Sequence, residues 1–242
     1  MRIRAVIFDW AGTVVDYGCR APVVVLEQIF AKRGVQLEPS ESRHAMGLLK
    51  LDQIRQILRL PRVAMAWRHA NGHEPDEPDV RALFESFIPV QADCIEEYSN
   101  VIEGVPELIE KLRSAGVRIG STTGYTRFML SRLLPKAARQ GYAPDSVVTP
   151  DDTGEGRPAP WMIFENMKRL GVYPPSVCVK VGDTPSDIQE GLNAGAVTIG
   201  VSDSSSEAAL HGAARARVTL VNHGAHRVIG TASDLWQILE EL

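Results

Sequence analysis

The sequence predicts an α/β protein whose core is a doubly wound parallel sheet, with a helical cap domain inserted after the first strand. Three observations support this fold class. An apolar run near the start ends abruptly in a polar loop, the following segment is helical without a clear strand, and the remainder alternates helices with strands. Because such alternation is typical of parallel sheets, we expect one α/β core that is interrupted once.

The elements of the core follow from their apolar patterns. The first strand is predicted in the run Ala5–Phe8, and the alternation begins at Gly104. Four predicted helices each precede a strand: Val105–Ala115 before Val117–Ser121, a helix after Thr126 before Ser146–Thr149, Trp161–Leu170 before Val177–Val181, and Asp187–Ala194 before Val197–Val201.

The inserted segment is predicted to consist of helices with breaks. An amphipathic helix over Val23–Lys32 ends at Gly34, a second over Leu51–Leu60 is stopped by Pro61, and a third runs from Val80 onward. We therefore assign residues 1–18 and 100–242 to the core domain and residues 19–99 to the cap domain.

The composition excludes several classes of function. The 242 residues are 44% hydrophobic and 23% charged, and the net charge of −4 gives no support to nucleic-acid binding. The three cysteines show no metal-ligand spacing and fit a reducing compartment. No signal peptide or apolar run of membrane-spanning length is apparent, so we expect a cytoplasmic protein without a membrane partner.

Carboxylates follow two of the predicted strands. Asp9 ends the first strand, and Asp183 and Asp187 follow the strand Val177–Val181. Ligands of open α/β sheets bind at the carboxyl ends of the strands, and carboxylate oxygens suit Mg²⁺. The alternative is that Asp187 caps a helix and Asp183 shapes a turn. The presence of Asp9 at an equivalent strand end favours the metal site.

Three further side chains are candidates for chemistry. Thr123 follows the second core strand, Arg157 lies in a Gly-Arg-Pro loop, and Lys50 ends an apolar stretch of the cap. Taken alone, each has a simpler interpretation as a turn threonine, a surface arginine or a solvated lysine. A lysine desolvated by Leu and Met would instead have a depressed pKa and a free amine able to form a Schiff base.

The ordered motifs resemble those of the haloacid dehalogenase (HAD) superfamily and, within it, of the phosphonoacetaldehyde hydrolase (phosphonatase) family. The similarity covers nearly the whole chain. It rests on the motifs Phe8–Thr13, Val15–Cys19, Met46–Lys50, Gly120–Tyr125, Val148–Asp152, Gly156–Arg157–Pro158, Pro160–Met162 and Lys180–Thr184.

The resemblance implies a HAD-type core in which Asp9 is a nucleophile that forms an aspartyl-phosphate. It also implies that Mg²⁺ is held by the carboxylates of Asp9 and Asp183 and the backbone carbonyl of Ala11, with Asp187 in or near the coordination shell. Thr123 and Arg157 would bind the phosphoryl oxygens.

Ala11 and Lys50 together are the most specific elements of the resemblance. HAD phosphatases and mutases carry a second aspartate, two residues after the nucleophile, which serves an oxygen leaving group. A C–P bond has no ester oxygen to protonate, so the leaving carbanion needs an electron sink. An iminium formed by Lys50 with an aldehyde supplies one. The resemblance therefore implies hydrolysis of the small phosphonate phosphonoacetaldehyde to acetaldehyde and phosphate.

The resemblance also assigns residues to a pocket between cap and core: Cys19, Met46, Gly124 and Tyr125, of which Cys19, Met46 and Tyr125 are equally consistent with ordinary packing. Gln53 occupies the position at which the family has a histidine, and it cannot act as an acid or base. A homodimer formed through the caps is implied as well.

Three other functions remain open from the sequence. The first is a HAD-type phosphatase or phosphoryl mutase, which Ala11 opposes. The second is a hydrolase of a related phosphono-aldehyde, in which Gln53 binds a more polar aldehyde. A non-catalytic binding or scaffold protein is disfavoured, because such a protein has no physical reason to keep the full set of charged residues.

Overall fold

The computed structural model describes residues 2–95 and 97–239. Six parallel strands form one sheet in the order β3-β2-β1-β4-β5-β6, which confirms the predicted fold class. The strands are β1 (Ala5–Phe8), β2 (Arg118–Thr122), β3 (Ser146–Val148), β4 (Cys178–Gly182), β5 (Val197–Val201) and β6 (Arg227–Ile229).

Helices surround this sheet and fill the segment between β1 and β2. They are α1 (Arg20–Ala31), α2 (Pro39–Ser42), α3 (Lys50–Leu58), α4 (Pro61–Asn71), α5 (Glu77–Cys94), α6 (Val105–Ser114), α7 (Arg127–Arg139), α8 (Pro150–Thr153), α9 (Trp161–Leu170), α10 (Pro185–Ala194), α11 (Ser206–His211), α12 (Ala213–Asn222) and α13 (Leu235–Leu239). Short 3₁₀ helices occupy Pro175–Val177 and Ala232–Asp234. Within residues 2–95 and 97–239, no helix combines the length and apolar content needed to cross a membrane.

The central strand β1 is buried on both faces, as its uninterrupted apolar run predicts. Val6 and Phe8 point into a large cluster, whereas Ala5 and Ile7 point into a smaller one with Ile163 of α9. Because successive side chains of a strand alternate between faces, one short strand contributes to both layers. The residue that follows Phe8 is therefore held at the edge where β1, β2 and β4 end together.

The inserted segment contains α1 to α5, and one of its predicted boundaries is wrong. Pro61 does not stop a helix that starts at Leu51: α3 ends at Leu58, and Pro61 occupies the first turn of α4. Proline is tolerated there because the first amide groups of a helix have no intrahelical partner. The division between residues 19–99 and the rest of the chain stays a prediction, since one apolar cluster runs through both parts.

Candidate active site

Asp9 lies at the carboxyl end of the central strand, where the two flanking strands also end. Its backbone N–H donates to Val181 O at 2.8 Å, which continues the β1–β4 ladder beyond Phe8. Its Oδ1 lies 2.8 Å from Nη2 of Arg157, and both side chains are buried. The sheet therefore fixes the backbone of Asp9, and Arg157 fixes one of its oxygens.

Asp9, Asp183 and Asp187 form a buried cluster in which one oxygen of each lies within 4.8 Å of the others. Burial and the charge of Asp187 raise the pKa of Asp9. Burial, together with the charges of Asp9 and Asp187, raises the pKa of Asp183 well above its usual range. Burial would also raise the pKa of Asp187, but the charges of Arg157 and Lys180 outweigh it and the pKa is lowered.

The carboxylate of Asp187 contacts two cations and the start of α10. Its Oδ1 lies 2.9 Å from Arg157 Nη1 and 2.8 Å from Lys180 Nζ. Its Oδ2 accepts from the backbone N–H of Thr184 at 3.2 Å and from its hydroxyl at 2.5 Å. Oδ1 thus makes two ion-pair contacts but no hydrogen bond within the described residues, whereas Oδ2 is hydrogen-bonded. Asp187 therefore pairs with two cations and caps α10. The capping interpretation and the proximity to a metal site are thus compatible.

Asp183, by contrast, has only weak partners. Its Oδ2 accepts from Ser206 N at 3.2 Å and from Cys19 Sγ at 3.6 Å, while Oδ1 lies 3.4 Å from the Thr13 hydroxyl. The thiol of Cys19 lies closer to the carbonyl oxygen of Ala11, at 2.8 Å, and its single proton can be donated to only one of these two oxygens. The buried Asp183 carboxylate and the partly buried Ala11 carbonyl therefore lie around the same thiol.

The donor set and the charge balance fit a divalent cation. Asp9, Asp183, Asp187 and Glu190 supply four buried carboxylates, and Arg157 and Lys180 pair with three of them. With all six groups ionised, two negative charges remain. The protonated form of Lys50 in the same cavity offsets one of them, and an uncompensated buried charge is strongly unfavourable. Hard oxygen ligands of this kind suit Mg²⁺, and a cation here would stabilise the ionised forms of Asp9 and Asp183.

Thr123 lies in the turn after β2 and is buried. Its Oγ1 accepts from the backbone N–H of Tyr125 at 3.1 Å, which leaves its hydroxyl proton available to a ligand. The neighbouring Gly124 meets the cap directly: a Cβ there would lie 2.6 Å from the backbone oxygen of Leu48. Only glycine therefore allows the core turn and the cap loop to come this close.

Lys50 is the first residue of α3 and is only 3% exposed, so the solvated interpretation of this lysine is wrong. Its Nζ lies 2.6 Å from Gln53 Oε1 and 3.7 Å from Met46 Sδ. Burial lowers its pKa from 10.5 to about 8. Gln53 is also fully buried and is oriented by its own amide, which donates to the His44 carbonyl at 3.0 Å.

The structure brings most of the predicted site residues to one small cavity of about 30 Å³. Its lining comprises Asp9, Ala11, Cys19, Pro22, Met46, Gly47, Lys50, Thr123, Gly124, Tyr125, Arg157, Asp183 and Thr184. Gln53 and Asp187 are not part of the lining. Gln53 contacts Lys50, and Asp187 contacts Arg157. A cavity of this size holds about one water molecule.

Sequence reasoning missed a buried layer beneath the site. Thr122, Lys180 and Glu190 are fully buried and bind the far side of Arg157 and Asp187. One signal was present: Lys180 interrupts an otherwise apolar, doubly buried strand, and an unpaired lysine is almost never fully buried. Glu190, one turn after Asp187 on α10, then supplies a matching charge.

Comparison with known proteins assigns the class. A family model described as haloacid dehalogenase-like hydrolase matches residues 3–195. The chain therefore belongs to the HAD-like hydrolases.

The chain falls, within that class, in the phosphonoacetaldehyde hydrolase family. It is 45% identical to a phosphonoacetaldehyde hydrolase of Bacillus cereus strain AH187 over 256 aligned residues, covering 100% of the chain and 97% of that relative. A Bacillus thuringiensis strain Al Hakam phosphonoacetaldehyde hydrolase is 44% identical, with the same coverage. A phosphonoacetaldehyde hydrolase-like protein of Oleispira antarctica superposes with a TM-score of 0.97 at 35% identity, covering 100% of this chain and 92% of the other.

The phosphatases and mutases among the solved structures show the fold alone. A putative β-phosphoglucomutase of Bacteroides vulgatus has a TM-score of 0.72 at 20% identity, and covers 99% of this chain and 89% of that one. The shared architecture thus extends across HAD-like hydrolases, whereas the higher identities are to phosphonoacetaldehyde hydrolases.

Proposed function

We propose that this chain hydrolyses the C–P bond of phosphonoacetaldehyde, giving acetaldehyde and phosphate. One observation carries the proposal. A buried lysine with a lowered pKa lines the same small cavity as the strand-end carboxylate Asp9, and the residue two positions after Asp9 is Ala11 rather than an acid. The names of the full-length relatives support the same substrate.

Lys50 supplies the electron sink. Its free amine attacks the aldehyde carbon to give a neutral carbinolamine. With uptake of one proton from solvent, the carbinolamine loses water and leaves an iminium that carries the positive charge on the Lys50 nitrogen. Burial favours this step, because it lowers the pKa of Lys50 to about 8 and so raises the fraction of free amine near neutral pH. Gln53 accepts an N–H of the amine and limits its orientations.

Asp9 then breaks the C–P bond. Its carboxylate oxygen attacks phosphorus, the C–P electron pair moves into the iminium to give an enamine, and an aspartyl-phosphate forms. Water hydrolyses the aspartyl-phosphate, which releases phosphate. Protonation of the enamine at carbon and hydrolysis of the resulting iminium release acetaldehyde and restore the amine of Lys50.

The phosphoryl oxygens are held by the core. Arg157 carries a permanent charge next to Asp9, and Thr123 has a hydroxyl proton to donate. Asp9, Asp183 and the Ala11 carbonyl would hold Mg²⁺, with Asp187 acting near it through Arg157 and Lys180. When bound, Mg²⁺ would neutralise charge on the phosphonyl group and on the attacking carboxylate. The homodimer through residues 19–99 stays a prediction.

Reductive trapping tests the proposal. Borohydride added with phosphonoacetaldehyde should inactivate the enzyme irreversibly, and peptide mass spectrometry should locate the label on Lys50. Lys180 is an internal control, since it is equally buried but saturated by ion pairs and lies outside the cavity lining.

An Asp9→Asn variant makes the trapping test sharper. It should still form the imine but not cleave it, so that its Lys50 adduct retains phosphorus. Label on another lysine, or full turnover without any label, would exclude the imine mechanism. Absence of phosphate release by the unmodified protein would exclude the substrate.

A further inference from the structure

Beneath the catalytic carboxylates lies a second layer of charged residues that does not line the cavity. It comprises Thr122 at the end of β2, Lys180 in β4 and Glu190 in α10, all fully buried. Buried ionic groups carry a large desolvation cost and need well-formed partners. The contacts of these three residues therefore show which side chain of the active site they hold in place.

Lys180 and Thr122 each contact three polar groups. Lys180 Nζ has three protons and three oxygens around it: Asp187 Oδ1 at 2.8 Å, Thr122 Oγ1 at 2.9 Å and Glu190 Oε2 at 3.3 Å. The Thr122 hydroxyl donates to Glu190 Oε2 at 3.0 Å and accepts from Lys180 and from Arg157 Nη2, at 2.9 Å each.

Glu190 connects this layer to Arg157. Its Oε2 lies 3.0 Å from Arg157 Nε, the guanidinium nitrogen that contacts neither Asp9 nor Asp187. Nη2 of the same group meets Asp9, and Nη1 meets Asp187. Because a guanidinium is planar, fixing Nε together with the two Nη atoms determines both the position and the plane of the group.

We propose that Glu190 is a positioning residue for Arg157: it holds Nε so that the guanidinium plane presents its outer nitrogens to Asp9 and to a phosphoryl group. Glu190 does not touch the reacting atoms and acts only through Arg157. The inference rests on the phosphoryl-binding role proposed for Arg157, but it does not depend on which phosphonate is the substrate.

Two conservative variants of Glu190 separate the effect of side-chain length from the effect of charge. Glu190→Gln keeps an acceptor at the same distance from Arg157 Nε and removes the charge. Glu190→Asp keeps the charge but is one methylene too short to make the contact. We expect the affinity for inorganic phosphate, measured calorimetrically in the presence of Mg²⁺, to fall about tenfold in Glu190→Asp and less than about threefold in Glu190→Gln, within the range of couplings inside one hydrogen-bond network.

Crossing these variants with Arg157→Lys completes the test. A lysine has no Nε, so adding Glu190→Asp to Arg157→Lys should weaken phosphate binding by less than about twofold. If Glu190 had a purely structural role, Glu190→Asp would lower the melting temperature. It would also reduce phosphate affinity by the same factor with Arg157 and with Arg157→Lys. The inference is overturned by equal affinity losses in the two backgrounds. It is also overturned if Glu190→Gln loses as much affinity as Glu190→Asp, or more, or if the unmodified protein does not bind phosphate.

Phosphate binding also separates this inference from the proposed reaction. If the unmodified protein binds phosphate but does not release it from phosphonoacetaldehyde, the proposed substrate is wrong, and the comparison of Glu190 variants still reports on the position of Arg157.

Discussion

Gln53→Glu is the most direct perturbation of the proposed nucleophilic amine. The substitution keeps the shape of the side chain and places a carboxylate where the amide oxygen now lies, 2.6 Å from Lys50 Nζ. With a pKa of about 8, about a tenth of Lys50 is free amine at pH 7, whereas at 10.5 the fraction would be about one in 3,000. Burial therefore increases the reactive fraction about 300-fold.

A neighbouring carboxylate stabilises the ammonium form and raises the pKa of such a lysine by roughly 1–3 units. We expect kcat/KM of the unmodified enzyme to rise with pH through about 8, because deprotonation of Lys50 creates the nucleophile. In Gln53→Glu this rise should move to higher pH, and kcat/KM at pH 7 should fall about 10- to 1,000-fold. The rate of borohydride trapping at pH 7 should fall in parallel.

Gln56→Glu is the matched control. Gln56 lies one turn further along α3 and is exposed, so the same new charge is added to the same helix in water. Its pH profile should coincide with that of the unmodified enzyme. If Gln53→Glu also leaves the profile in place, the contact between Gln53 and Lys50 does not control the state of the amine, and the electrostatic reasoning fails.

Two further predictions concern the walls of the cavity. Ala11→Asp adds a like charge beside Asp9 and Asp183, so phosphate release from phosphonoacetaldehyde should fall at least tenfold. The variant should not gain efficient ester phosphatase activity, measured with p-nitrophenyl phosphate. Undiminished phosphonate turnover would show that the methyl group is incidental. Gly124→Ala should hold the cap away from the core and lower kcat/KM about 100-fold, because its Cβ would lie 2.6 Å from the Leu48 carbonyl. Gly156→Ala, whose Cβ would make an ordinary 3.4 Å contact with Leu49 Cβ, is its control, and equal losses in both would refute the steric argument.

The parallel sheet was predictable because its strands are marked locally. Apolar runs such as Ala5–Phe8 end in polar loops, and this signal needs no knowledge of the partner strand. The helices of the inserted segment were harder to delimit. A proline after an apolar helical pattern reads equally as an end or a beginning, and Pro61 turned out to begin α4.

The residues of the cavity were predictable from ordered motifs, whereas the layer behind them was not. Thr122 and Glu190 are 68 positions apart, and Arg157 and Glu190 are 33 apart, so no local spacing reveals that they share one network. The close approach at Gly124 is hidden for the same reason. It depends on where the loop of Leu48 lies relative to the core, which the pattern of either segment does not contain.

The structure divides two opposite electrostatic requirements between its parts. In the proposed reaction Asp9 must be ionised to attack phosphorus. Burial and the charge of Asp187 raise its pKa, and Arg157, which contacts Asp187 and Glu190 as well, opposes that rise. Lys50 must lose its proton, and its immediate partners are accordingly neutral, the amide of Gln53 and the thioether of Met46. The charges of Asp9 and Asp183 oppose this loss, but burial outweighs them. The free amine proposed for Lys50 therefore depends on the burial of this side chain.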